Sequence, residues 1–155
     1  MHESHHDHDI CVRDALAAAA AVCESRGTNL TATRQRVLEL IWSSHRATKA
    51  YDILDRLGSP DRPVKPPTVY RALDFLMEQG LIHRVDCLNA YVGCLRPGVD
   101  HQGQLLICSI CGTVDEVHED AIERAVAAAA ARAGFLVEQQ TVELRGRCVQ
   151  CRQTS

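Results

Sequence analysis

Aromatic side chains are scarce in this 155-residue chain, which has one Trp, three Tyr and two Phe, 4% of the whole. That scarcity excludes a broad platform on which unpaired bases could stack. Nowhere does an apolar run reach the ~18 residues of a membrane-spanning helix, so no membrane partner is expected. The first apolar stretch, residues 15–23, is mostly alanine and follows Arg13 and Asp14. A signal peptide has a basic start and a greasier middle, so export is not expected and a cytoplasmic location is. A global excess of positive charge is also missing, since the formal net charge is -3.

What is present is a chain that is 46% hydrophobic and 24% charged, enough to pack a core as one domain or two small ones. Its charge is unevenly spread. Residues 1–25 carry one Arg against five Asp/Glu, residues 26–84 carry ten Lys/Arg against six Asp/Glu, and residues 85–155 carry six against nine. A basic block followed by an acidic one that holds most of the eight cysteines suggests two modules with different partners.

Residues 1–9, MHESHHDHD, lack apolar periodicity and read as a flexible His-rich tail. A first helix is predicted over residues 10–26, ended by Gly27, and a second after Thr31 as N-cap, with Val37, Leu38 and Ile41 on its apolar stripe. Thr48 is the expected cap of a third helix running to Leu57. After the proline-rich residues 59–66, Pro66-Pro67-Thr68 leads a fourth helix that stops at Gly80. Residues 81–85 and 90–94 alternate as two strands around Leu88-Asn89. Helices followed by a hairpin are the order of a winged helix-turn-helix, whose last helix lies in the major groove. Beyond it, residues 105–108 and 113–117 read as strands, residues 120–133 as a helix ended by Gly134, and residues 135–144 as a third strand. The expected class is therefore α+β: a winged-helix DNA-binding domain over residues 10–93, a connector over 94–103, and a small ββαβ domain over 104–155. Three strands with open edges invite a second copy, so a homodimer is expected.

In a reducing compartment, clustered cysteines hold metal or do redox chemistry more often than they form disulfides. Cys108-x-x-Cys111 and Cys148-x-x-Cys151 offer four thiolates, the donor set of a structural tetrahedral zinc, and a metal staple suits so small a core. The rival is a redox dithiol, but reactive CxxC pairs sit at helix N-termini and these follow strands. A second grouping is looser: His83 in the first wing strand, Cys94 at the end of the second, His101 in the connector and Glu116 past the first CxxC. Two nitrogens, a thiolate and a carboxylate suit zinc, although single His and Glu residues are usually surface groups.

The stretches LTATRQRVLELI, AYDILDRL, KPPTVYRALDFLMEQGLIHRV, the strand 91–94, His101 through CSICGTVDE, and the final CVQC resemble the ferric uptake regulator family, and more closely its zinc uptake regulator branch. The resemblance spans about residues 10–152. It implies a dimeric, metal-responsive transcriptional repressor, with Cys108, Cys111, Cys148 and Cys151 holding structural zinc and His83, Cys94, His101 and Glu116 forming the regulatory site, two Zn2+ per protomer. Iron and peroxide sensors of the family carry a His-His-Asp-His-like run before the CxxC strand, where this chain reads His101-Gln102-Gly103-Gln104. His5-His6-Asp7-His8 is a look-alike elsewhere, and His45 is out of register with the histidine those sensors take before the third helix. The Cys94 thiolate also favours zinc over ferrous iron.

On this reading the protein binds a palindromic operator in double-stranded DNA with zinc as corepressor and controls genes of zinc uptake. Arg71 is the expected base-edge contact to guanine. Tyr70 and Tyr51 are candidates for sugar, phosphate or thymine methyls, with a core position as the alternative for Tyr70. Lys65 and Thr68, and more remotely Arg34, are placed for phosphate, while Leu73, Leu76 and Met77 are expected in the core. A zinc hydrolase would need an open metal position and a general base, which this donor set and the lack of HExxH do not offer. A thiol redox switch is the other alternative, and a third metal site at His118 or the His-rich tail remains open.

Overall fold

The structure is a computed structural model and describes residues 8–153. The expected tail histidines His2, His5 and His6 lie outside the described residues. The chain divides into two compact units, Met1–Val99 and Asp100–Ser155, and the division falls within the stretch read as connector.

In the first unit, α1 (His8–Ser25), α2 (Ala32–Trp42), α3 (Ala50–Leu57) and α4 (Pro66–Glu78) precede a hairpin of β1 (Ile82–Val85) and β2 (Ala90–Gly93). Helix α1 starts two residues earlier than expected and ends at Ser25, two residues before Gly27, whose φ of 65° suits a residue without Cβ. Thr31 caps α2, its side chain accepting from Arg34 N–H at 3.4 Å. Helix α2 is central: Val37, Leu38, Leu40 and Ile41 are buried and join Ile53 of α3 and Val69, Leu73 and Leu76 of α4 in one core. The placing of Leu73 and Leu76 in the core is met, with Met77 packed at its margin.

Thr48 does not cap α3, as the sequence suggested. The N-cap is Lys49, without a side-chain hydrogen bond. Thr48 instead exchanges both backbone bonds with Tyr91, N to O at 2.8 Å and O to N at 2.9 Å, and so adds a rung to the wing. Burial drives this exchange, because a buried backbone pair satisfies two polar groups where a cap satisfies one. The wing turns through Asp86–Leu88 and Asn89, the latter left-handed at φ 47°, a conformation asparagine tolerates. At the foot of the wing Gly93 receives the Trp42 indole so closely that a Cβ would lie 2.2 Å from Cε2.

The second unit is a three-stranded sheet of order β4-β3-β5, with β3 (Gly103–Cys108) antiparallel to β4 (Val114–Val117) and parallel to β5 (Thr141–Gly146). Helix α5 (Asp120–Arg132) is the crossover that a parallel pair requires. Strand β5 lies later than the expected 135–144. The parallel register Gly103↔Thr141 to Cys108↔Gly146 decides its position, and Phe135 and Leu136 are left exposed before it. A short helix, α6 (Val149–Gln153), follows and had no counterpart in the sequence reading.

Candidate metal centres and nucleic-acid interface

The sheet topology explains the first cysteine cluster. Parallel strands end on the same side, so Cys108 at the end of β3 pairs with Gly146, and Cys148 follows two residues later. Gly112, at φ 74°, turns the chain back after Cys111. All four sulfurs of Cys108, Cys111, Cys148 and Cys151 then lie within 4.8 Å of one another, with Cys111 and Cys148 Sγ 3.8 Å apart. A tetrahedron with ~2.3 Å metal–sulfur bonds has edges of about 3.8 Å, so the cluster fits zinc with little closure. None of the eight cysteines is in a disulfide.

Hydrogen bonding divides these thiols. The Cys148 N–H, at 3.4 Å, together with the N–H groups of Cys111 and Ile110, lowers Cys108 to about 6. The Thr113 hydroxyl, 3.2 Å away, and its N–H lower Cys111. Cys151 is pushed up to about 12, chiefly by its hydrogen bond to the Cys148 sulfur and then by burial. One part of the sequence argument is corrected here. The second CxxC does not merely follow a strand, because Cys148 immediately precedes α6 and Cys151 lies within it. A five-residue helix carries little dipole, so this position does not by itself mark a reactive thiol.

The second donor grouping divides between the two units. In the first, the Cys94 N–H donates to Leu81 O at 3.0 Å, one step beyond the pair Ile82↔Gly93. Cross-strand partners and alternate residues share a face, which sets His83 and Cys94 on the same face of the wing, diagonal to each other. Arg96 N–H donates to Cys94 Sγ at 3.4 Å. In the second unit, Glu116 on β4 opposes Leu105, and its Oε1 lies 2.6 Å from His101 Nε2. Both side chains are only 5% exposed.

Among the described residues His118 belongs to no further ligand set. Its Nε2 faces Asp120 Oδ1 at 2.9 Å while Nδ1 faces Glu123 Oε1 at 3.9 Å, so the two carboxylates meet opposite ring atoms. The amides of Gln102 and Gln104 bond to the second unit's own backbone: Gln102 Oε1 accepts from Gln140 N–H, and Gln104 bonds to Glu119. A buried glutamine on a strand is a signal the sequence reading did not use.

The DNA candidates Tyr51, Lys65, Thr68, Tyr70 and Arg71 are all exposed. On α4, Val69, Ala72, Leu73 and Leu76 point to the core, leaving Thr68, Tyr70, Arg71 and Asp74 outward. Tyr70 is 52% exposed, which sets aside its core alternative, and Tyr51 on α3 is 76% exposed. Pro66 and Pro67 remove two backbone donors from the first turn of α4, so anion contacts there fall to side chains such as the exposed Lys65 and Thr68. Arg34 is already committed. Its guanidinium lies 3.6 Å from the Phe75 ring centroid and donates to Asn29 O.

The chain matches the ferric uptake regulator family over residues 25–145. It is 40% identical over 140 residues to a zinc uptake regulation protein of Escherichia coli (strain K12), covering 90% of this chain and 82% of that one. A zinc uptake regulation protein of Mycobacterium tuberculosis (strain ATCC 25618 / H37Rv) is 31% identical over 129 residues, 82% of this chain and 95% of that one. A solved structure of a zinc uptake regulator complexed with zinc and DNA superposes with a TM-score of 0.86 at 38% identity, covering 92% of this chain and 96% of that one.

Proposed function

This chain belongs to the ferric uptake regulator family, and from that premise we propose that it is a zinc-responsive transcriptional repressor controlling zinc uptake genes, with Zn2+ as corepressor. It is a transcription regulator, not an enzyme. Two Zn2+ per protomer are assigned. Cys108, Cys111, Cys148 and Cys151 hold a structural ion, and His83, Cys94, His101 and Glu116 share the regulatory one. The observation that carries the regulatory assignment is the buried His101–Glu116 contact at 2.6 Å. A ring nitrogen and a carboxylate oxygen held that close, both out of water, present two donor atoms to one cation.

The wing supplies His83 and Cys94, and the second unit supplies His101 and Glu116. When all four bind one ion, the reading head is tied to the pairing body, and the half-site spacing of two heads is held. Zinc supplies a borderline-soft Lewis acid that takes imidazole, thiolate and carboxylate together. Linkage requires that operator DNA tighten zinc binding by the same factor that zinc tightens operator binding.

The partner is a palindromic operator, read by a homodimer in the cytoplasm. Arg71 contacts a base edge, Tyr51 and Tyr70 the sugar, phosphate or thymine methyls, and Lys65 and Thr68 phosphate. The dimer is formed by the second unit, where Leu106 of β3 and Leu144 of the edge strand β5 are adjacent and exposed. The test is operator binding by the full dimer with Zn2+, Fe2+ or Mn2+ titrated separately. Zinc is expected to confer specific binding, and Cys94→Ser to abolish it while leaving a folded dimer. Equal operator affinity with and without the ion overturns the reading.

A further inference from the structure

We propose that Gln104 is the positioning residue of the His101–Glu116 pair, its carboxamide holding strand β4 where Glu116 can reach His101. The proposal rests on the reading of that pair as half of the regulatory zinc site. Gln104 lies on β3 and is 1% exposed, so its carboxamide is out of water. Burying an amide is costly unless both its ends are bonded, and here both are. Gln104 Nε2 donates to Glu119 O at 3.1 Å, and the Glu119 N–H donates to Gln104 Oε1 at 3.0 Å.

These two bonds copy a strand rung. The backbone pairing of β3 with β4 ends at Gln104↔Val117, and the carboxamide extends it to Glu119, whose φ of -129° and ψ of 107° are still extended. Helix α5 begins at the next residue and has no side-chain cap, so the glutamine decides where strand stops and helix starts. The stake is Glu116. Strand β4 is a four-residue edge strand with Glu116 next to last, so fraying from its end reaches the carboxylate at once. The chain beside His101 is tied to the same helix, since the Gln102 N–H donates to Glu123 Oε1 at 3.3 Å in the first turn of α5. Gln104 thus sets the helix against which one side of the pair is anchored and fixes the strand that carries the other.

The test uses the full chain loaded with its structural zinc and titrated with Co2+, whose thiolate absorption band reports Cys94. Gln104→Met keeps the length of the side chain and loses both hydrogen bonds. It is expected to bind Co2+ about tenfold or more weakly, the range for groups that orient metal ligands, while keeping its structural zinc and the wild-type spectrum at saturation. Amide exchange over residues 115–119 should quicken in the metal-free variant and nowhere in the first unit. Gln104→Glu keeps the acceptor for the Glu119 N–H and loses the donor. It should fall between the two, and it decides the matter should the Met variant not fold. Wild-type Co2+ affinity in whichever variant folds overturns the proposal. Equal cobalt uptake by wild type and Cys94→Ser would instead overturn the site reading, whereas sensitivity at Cys94 with indifference at Gln104 removes the clamp alone.

Discussion

On the proposed reading Arg71 of α4 and Lys65 at its N-cap both meet DNA, yet their substitution should read differently. Arg71→Ala removes a bidentate base contact and should cost about 1–3 kcal/mol on the cognate operator, with far less on random DNA. Lys65→Ala removes a phosphate contact and should weaken both alike, lowering the salt slope by about one. Anisotropy titrations on the two DNAs at several salt concentrations separate them, and equal losses for Arg71→Ala would move it to the phosphate class. The cysteine cluster yields a pH prediction. Cys108, lowered to about 6, is largely thiolate at neutral pH, and the stability its thiolate contributes is lost as pH falls through that value. Cys151, pushed up to about 12, keeps its proton until metal displaces it. The two shifts have opposite signs for the metal-free fold, but zinc binding needs both thiols deprotonated, so acid competes with zinc for sulfur. Zinc release to a chromogenic chelator should be faster at about pH 5.5 than at about pH 8, with loss of structure following in the second unit.

The elements most legible in the sequence were those with both periodicity and punctuation. Helix α5 ran from its acidic first turn to Gly134, and α2 started at its Thr31 cap, because local chemistry alone decides such ends. Where long-range pairing decides, local reading failed. Thr48 has the composition of a cap and serves as a strand rung, since Tyr91, far along the chain, offers two backbone bonds. The alternation of Phe135 and Val137 points to an earlier start for β5, whereas its register is imposed by β3. The seat of Trp42 on Gly93 carried no local signal at all, because a glycine in a strand does not say what approaches it. Gly93→Ala should destabilise the first unit by about 1–3 kcal/mol, as overpacking does, measured by urea unfolding of the metal-free chain. An unchanged midpoint would mean that the indole swings away without cost.

At the scale of the whole chain, both donor sets were named from residue types, spacing and resemblance, and the structure gathers the four cysteines through the parallel ends of β3 and β5. The Gln104 contact was not legible, because an amide's partners depend on a fold the composition does not display. Dimer formation is the prediction that belongs here. Leu144→Glu places a charge beside Leu106 on the exposed apolar face and should weaken self-association at least about tenfold, or ~1.4 kcal/mol, by sedimentation equilibrium. A dimer of unchanged strength would place the interface elsewhere. The contact between Trp42 and Gly93 has one more use. It concerns the chain's only indole, pressed onto the residue beside Cys94 with no space for even a methyl group. Ultraviolet excitation of the unlabelled protein therefore lights a lamp at the root of the wing, and its colour follows any lifting of that strand as metal comes and goes.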